Sequence, residues 1–344
     1  EGLAGLQRSL SMMHRFGITG YQDAGVSFEG TTLVDGGSLN LYKQADRNGI
    51  LTARIALALY ADPEKPIDQI QKMVELRNTL RGKRFHIAAV KIFNDGVIEG
   101  GTAALLEPYL DKKDTGILIW SPEKLNPFVK ELDRQKFQIH FHAIGDRAIR
   151  VALDSIEQAY KSNGARDGRP VLAHIQLIDP QEIPRFAQLK AIACFQPLWA
   201  YEDAYIKDLT IPRLGPERMR WNYPMRSVQQ SGGALAFGSD WDVTSLNPLD
   251  AIEVAVTRQN FEGATATDQP FYPEERISLE TALAAYTIGS AYANFWERET
   301  GSLEVGKSAD LIVLSSNLFE VPPHQINQTH VLWTFFEGKI VYQQ

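Results

Sequence analysis

Four side chains of this 344-residue chain have chemistry to offer and stand at matching places: Lys91, His142, His174 and Asp240. Each lies at or near the C-terminal end of a short apolar run that reads as a β-strand. His142 belongs to the stretch 137–160, FQIHFHAIGDRAIRVALDSIEQAY, where Phe137, Ile139 and Phe141 alternate with Gln138, His140 and His142. A period of two sends both histidines to the same side. Residues 143–145 then read as a tight turn, with Asp146 at the N-cap of a helix. In that helix Ile149, Ala152, Leu153, Ile156 and Tyr160 recur at helical spacing.

Two imidazoles and a carboxylate are ordinary ligands for zinc and similar divalent ions. A lysine joins such a set only as a carbamate, because an ammonium has no lone pair. Taken singly, each residue has a structural alternative. A strand-end histidine is often just hydrogen-bonded, Lys91 could point out of the fold, and Asp240 could cap a turn. His140 lies deeper in its strand and reads as a support for His142, while Asp242 is a second carboxylate in the Asp240 loop. Asp146 and Arg147 read as a helix cap and an ion pair in preference to substrate contacts.

Convergence of the four requires strands that all end on one side. Strand-like stretches at 18–25, 51–60, 86–95, 137–142, 171–176, 191–196 and 234–238 alternate with helix-like ones at 67–80, 122–135, 180–189, 248–260 and 278–296. This alternation predicts an α/β protein with a parallel sheet and its chemistry at the C-terminal strand ends. Seven such units are one short of a closed (β/α)8 barrel, and an open barrel leaves bare strand edges. We therefore expect the missing first β/α unit to precede Glu1; a seven-unit or doubly wound sheet is the alternative. After Gly301 the pattern becomes purely strand-like, at 311–314, 331–336 and 340–342. The expected division is thus a barrel over 1–300 and a small β segment over 301–344.

Thirty-five basic against 42 acidic residues give a net charge of −7, which argues against nucleic acid or an anionic membrane as partner. No apolar run reaches the length of a membrane span. The single cysteine, Cys194, excludes an internal disulfide and a Cys-rich zinc site. Compartment (cytoplasm or periplasm) and homo-oligomerisation are left open by these numbers. Between the sixth and seventh strands, 197–224 holds Trp199, Tyr201, Tyr205, Trp221 and Tyr223. We expect part of it, Trp199 and Trp221 above all, to roof a pocket and favour an apolar or aryl group; packing on the helices is the alternative.

Together the motifs resemble a known family. HAIGDRA at 142–148, AHIQLIDPQEIPRFAQL at 173–189, FGSDWDV at 237–243 and GSLEVGKSADLIVL at 301–314 are similar to the amidohydrolase superfamily. The nearest group is family 3, which includes N-substituted formamide deformylase-like enzymes. VKIFNDGVIEGGTAALLEPY at 90–109 and FGITGYQDAG at 16–25 match the same group. The resemblance implies a TIM-type (β/α)8 barrel, with residues 301–344 contributing to a composite β-sandwich. It implies one or two divalent ions, zinc first, held by His142, His174, a carboxylated Lys91 and Asp240, with Asp240 also activating the hydrolytic water. The implied substrate is a small amide-like molecule cleaved at a non-peptide C–N bond. One departure is clear. The family places a His-x-His pair after its first barrel strand, whereas the only such pair here, His140 and His142, is assigned elsewhere by its motif. The expectation is that these 344 residues by themselves hold an incomplete metal site, without bound metal and without turnover. A non-catalytic protein of the exoenzyme-regulator type is the alternative from another class. A metal-free enzyme using Asp240 and Asp242 is a third reading.

Overall fold

The computed structural model describes residues 2–29, 31, 37–262 and 269–344. Eight parallel strands form one sheet: β1 (Gly20–Ser27), β2 (Gly37–Ser38), β3 (Arg54–Tyr60), β4 (Phe85–Phe93), β5 (Gln138–Ala143), β6 (Val171–His174), β7 (Ile192–Phe195) and β8 (Ala234–Phe237). Their spatial order is β2-β1-β3-β4-β5-β6-β7-β8. Seven match the expected strands. The two-residue β2, with helix Leu39–Arg47 after it, was not expected, because two residues are too short to display a period. Beyond β1 the order is sequential, as successive right-handed crossovers produce.

The strands are short, and β3, β5 and β6 are buried along nearly their whole length, as strands covered on both faces must be. All six residues of β5 are buried. On the outer face, Ile139 and Phe141 join one continuous core with the stripes of the flanking helices. Helix Asp146–Asn163 contributes Ile149, Ala152, Leu153 and Ile156, and helix Pro122–Arg134 contributes Leu125, Phe128, Val129 and Leu132. On the inner face, Val171, Ile192 and Ala236 form a separate small cluster. Among the described residues β8 pairs only with β7, and β1 pairs with β3 and, at Val26 and Ser27, with β2. The sheet is therefore a curled half-barrel.

Three further strands, β9 (Leu311–Leu314), β10 (Val331–Phe336) and β11 (Lys339–Gln343), form an antiparallel sheet of their own with β10 central. Glu337 and Gly338 turn the β10–β11 hairpin with φ values of 50° and 76°, the left-handed pair that a two-residue hairpin turn needs. Asp310 pairs with Arg54 of β3, and Thr334 Oγ1 donates to the His14 carbonyl at 2.6 Å.

Candidate active site

The register of β4 and β5 sets Lys91 beside His140 and Phe93 beside His142. Residues opposite one another in neighbouring strands share a face, so these four side chains project together from the inner one. Lys91 is 4 % exposed, and its Nζ lies 5.0 Å from the Phe93 ring centroid. Burial pulls its pKa down to about 8, with the charge of Asp240 acting in the opposite direction. The Phe93 ring lies 5.3 Å from that of His142.

His174 reaches the same place by a different route. Register pairs it with Ala143 and pairs His142 with Ala173, so simple strand alternation would put the two histidines on opposite faces. Instead β6 ends there: φ is +82° at His174 and +50° at Ile175. A β-branched residue rarely adopts such a value, and strained backbone of this kind clusters at functional sites. The turned His174 ring meets His142 edge-on at 4.5 Å between centroids. Asp240, with φ +54°, is exposed just past β8, and its charge acts on Lys91, His142 and Cys194.

Each histidine is locked by one nitrogen. His174 Nδ1 donates to the Gln196 amide oxygen at 2.8 Å, which leaves the lone pair on Nε2. His142 Nε2 donates to the Gly96 carbonyl at 3.1 Å, which leaves the lone pair on Nδ1. Burial, reinforced by the neighbouring His174 and Lys91, holds His142 well below the usual histidine range; burial likewise pulls His174 down to about 3. Neutral imidazoles oriented by a second acceptor are what a metal centre requires. The pair thus fits a metal site in part. Among the described residues no three His, Cys, Asp or Glu side chains gather closely enough to hold an ion.

Several neighbours went unnoticed in the sequence. Asp95 is 2 % exposed and accepts from the amides of Ala104, Ile144 and Gly145 at 2.9–3.0 Å. It fastens the loops after β4 and β5 together, 3.6 Å from His142 Nε2. Burial pushes its carboxyl up to about 7 despite those three donors. Gly145 lets the loops approach, since a Cβ there would stand 2.1 Å from the Ala104 carbonyl oxygen. Gln196 follows β7 directly, the strand-end position that singled out the histidines, so the same rule points to it. His140 is sealed in with both ring nitrogens unpartnered. The expected cap at Asp146 is corrected: Gly145 is the N-cap, and Asp146 opens the helix and accepts from Leu106 N at 2.8 Å. The expected ion pair of Arg147 is corrected too: among the described residues its guanidinium reaches Thr115 Oγ1 at 3.4 Å and no carboxylate, while its backbone N–H donates to Asp146 Oδ1 at 2.9 Å.

The aromatic segment is divided. Trp199 stacks on His174 at 5.8 Å and 16°, and its Nε1–H donates to Thr244 Oγ1 at 3.1 Å, joining the loops after β7 and β8. Trp221 is half-buried against the core beside the loop after β6, where its carbonyl accepts from Ile178 N at 3.4 Å. Tyr223 is core, Tyr205 is exposed, and Tyr201 lines a cavity of about 480 Å3 with Phe271 and Tyr272. A second cavity, about 410 Å3, is lined by Arg54, Arg81, Arg84 and His86 near the N-terminal ends of β3 and β4. We place the chemistry at the histidines, because the strand ends there carry the paired donors.

The chain matches the amidohydrolase family over residues 2–342. It is 33 % identical over 333 residues to Protein LONG AFTER FAR-RED 3 of Arabidopsis thaliana, covering 95 % of this chain and 55 % of that protein. The protein YtcJ of Bacillus subtilis (strain 168) is 30 % identical over 330 residues, 95 % of this chain and 59 % of its own length. N-substituted formamide deformylase of Arthrobacter pascens is 24 % identical over 98 % of this chain and 61 % of its own length. The chain thus spans a little over half the length of these relatives. The fold is shared with an uncharacterized metal-dependent hydrolase from Pyrococcus horikoshii, with a TM-score of 0.77 and 24 % identity over 94 % of this chain and 61 % of that one. A match that runs from the first helix to the last strand, through every motif around the histidine pair, has one reading: the chain belongs to the amidohydrolase family.

Proposed function

We propose that the protein is a metal-dependent hydrolase of amides or other non-peptide C–N bonds in small molecules. The observation that carries the proposal is the pair of buried, neutral imidazoles in edge contact, each with one nitrogen locked and one lone pair kept. His142 Nδ1 and His174 Nε2 would hold one or two divalent ions, zinc first, with Lys91 as a carbamate and Asp240 as further ligands. A divalent ion supplies Lewis acidity there, polarising the carbonyl and making water a nucleophile near neutral pH.

The remaining work belongs to the chain. Asp240 takes the proton of the attacking water and delivers it to the leaving nitrogen. Gln196 and Gly96 hold the imidazoles in the tautomers that keep their lone pairs available. Trp199, stacked on His174, keeps water from that side and offers a flat apolar wall to the substrate. We assign Trp221 to the outer part of the same wall. The name of the Arthrobacter pascens relative makes N-substituted formamides the first substrates to try. We also read residues 301–344 as strands of a separate small β-domain.

The test is elemental analysis of the intact protein together with amine release from N-benzylformamide. The expected result is one or two divalent ions per chain, with turnover lost to a chelator and restored by zinc. Unchanged turnover in metal-free protein would overturn the metal assignment. Metal-loaded protein inert toward formamides and a panel of simple amides would overturn the hydrolase reading. Intact protein that is both metal-free and inert would favour the non-catalytic alternative.

A further inference from the structure

The loop that supplies Gly96 to His142 carries a carboxylate three residues on, at Glu99. Its Oε1 accepts two hydrogen bonds, from Gln176 Nε2 at 2.6 Å and from Thr210 Oγ1 at 2.7 Å. Gln176 follows His174 by two residues and is 3 % exposed; Thr210, in the segment after β7, is fully buried. Three loops at the C-terminal ends of the strands therefore converge on one oxygen of one carboxylate. Glu99 itself is half-buried.

Its other oxygen is unused. Among the described residues, Oε2 accepts no hydrogen bond and no cation pairs with the carboxylate; Arg213 spends its guanidinium on the Ile98 and Glu99 carbonyls and on Asp111. A partly buried carboxylate without a counter-charge is costly, and a glutamine could accept the same two bonds without that cost. Nor is it the only negative group present: the carboxyl of Asp203 is pushed up by burial first, with the Glu99 charge adding to the effect. Structural roles explain Oε1; they do not explain the uncompensated charge.

We propose that Glu99 is a specificity-determining residue of the site, recognising a protonated amine on the substrate through Oε2. The inference rests on the hydrolase reading above and narrows its substrate class to amides that carry a second, cationic nitrogen. A charge-assisted hydrogen bond to a carboxylate already oriented by two donors is strong and directional. The negative potential from Asp203 turns the preference toward a cation over a neutral donor.

The experiment uses the intact, metal-loaded protein and a matched pair of probes, N-[4-(aminomethyl)benzyl]formamide and the neutral N-(4-ethylbenzyl)formamide. The wild type is expected to favour the amino probe by about tenfold or more in kcat/KM, mainly through KM. Glu99→Gln should remove that preference and leave the ethyl probe within about twofold. Thr210→Val, which withdraws one of the two orienting donors, should give a smaller loss in the same direction, and it carries the test if Glu99→Gln does not fold. Equal effects of either folded variant on both probes, or a wild type without preference, would overturn the proposal. Calorimetric titration with the cationic 4-ethylbenzylamine and the neutral 4-ethylbenzyl alcohol reads Glu99 without turnover. Absence of turnover on every probe would thus sink the hydrolase reading alone. Equal binding of amine and alcohol by the wild type, or equal binding of the amine by wild type and Glu99→Gln, would sink this one.

Discussion

Strand β5 buries both of its faces, yet the two are opposites in chemistry. On the outer face Ile139 and Phe141 join the main apolar core, where removal from water stabilises at roughly 25 cal/mol per Å2. On the inner face His140 and His142 are buried almost as deeply, at 3 % and 9 % exposure. There burial works against the side chains: it drives both rings well below the ordinary histidine range and leaves His140 with two unpartnered nitrogens. A face that costs folding free energy is what a functional site looks like in an otherwise consistent fold. The outer face makes the sheet stable; the inner face is where the proposed function would reside.

Substitutions on the two faces should therefore part company. The largest effect expected is on metal affinity: His174→Ala should weaken it by about 10³-fold, if one ligand carries its share of the roughly 10–16 kcal/mol typical of structural zinc. Competition against a chelating dye in the intact protein measures it, and an unchanged affinity would remove His174 from the ligand set. Next is the outer face. Phe141→Ala should cost about 3–5 kcal/mol in urea unfolding while leaving the metal affinity of the folded protein intact. A cost under about 1 kcal/mol would abolish the contrast between the faces.

The neighbouring position should respond with the opposite sign. His140→Leu fills similar space and removes two unpartnered nitrogens, so a gain of about 1 kcal/mol is expected. Destabilisation instead would show that the imidazole has a partner in the working protein. The smallest effect concerns pH and Asp95. Its folded pKa of about 7 lies above the ordinary 3.8, so its contribution is full below pH 3.8 and is lost as pH rises through 7. The buried His174, at about 3 against 6.5, acts the other way, contributing above pH 6.5 and losing that contribution as pH falls toward 3. Asp95→Asn removes only the first of these, so its cost should be greater at pH 5 than at pH 8. Urea titrations of variant and wild type at both pH values would expose an equal or inverted cost.

The parallel α/β order, the separate strands after residue 301 and the candidate residues at strand ends were legible in the chain itself. Each of these rests on local periodicity: alternation in FQIHFH, helical spacing in the run after it, and donors placed where apolar runs stop. A residue's preference for one face of its own strand or helix is a near-neighbour property, and sequence reports it well. Contacts between distant segments are another matter. Strand alternation gave no sign that His174 would be swung toward His142, because a left-handed backbone at a strand end is imposed by surrounding loops and not by the residue itself. Trp199 and Trp221 looked equivalent, but only Trp199 stacks on His174. Asp95 and Glu99 carried no periodic signal, since their roles come from amides and side chains of Ala104, Ile144, Gly145, Gln176 and Thr210, brought close only by folding. The sequence by itself determined which elements form and which of their faces are apolar, because those follow from spacing along the chain. Tertiary structure alone decided which polar groups meet, because register and loop approach depend on residues that the chain keeps far apart.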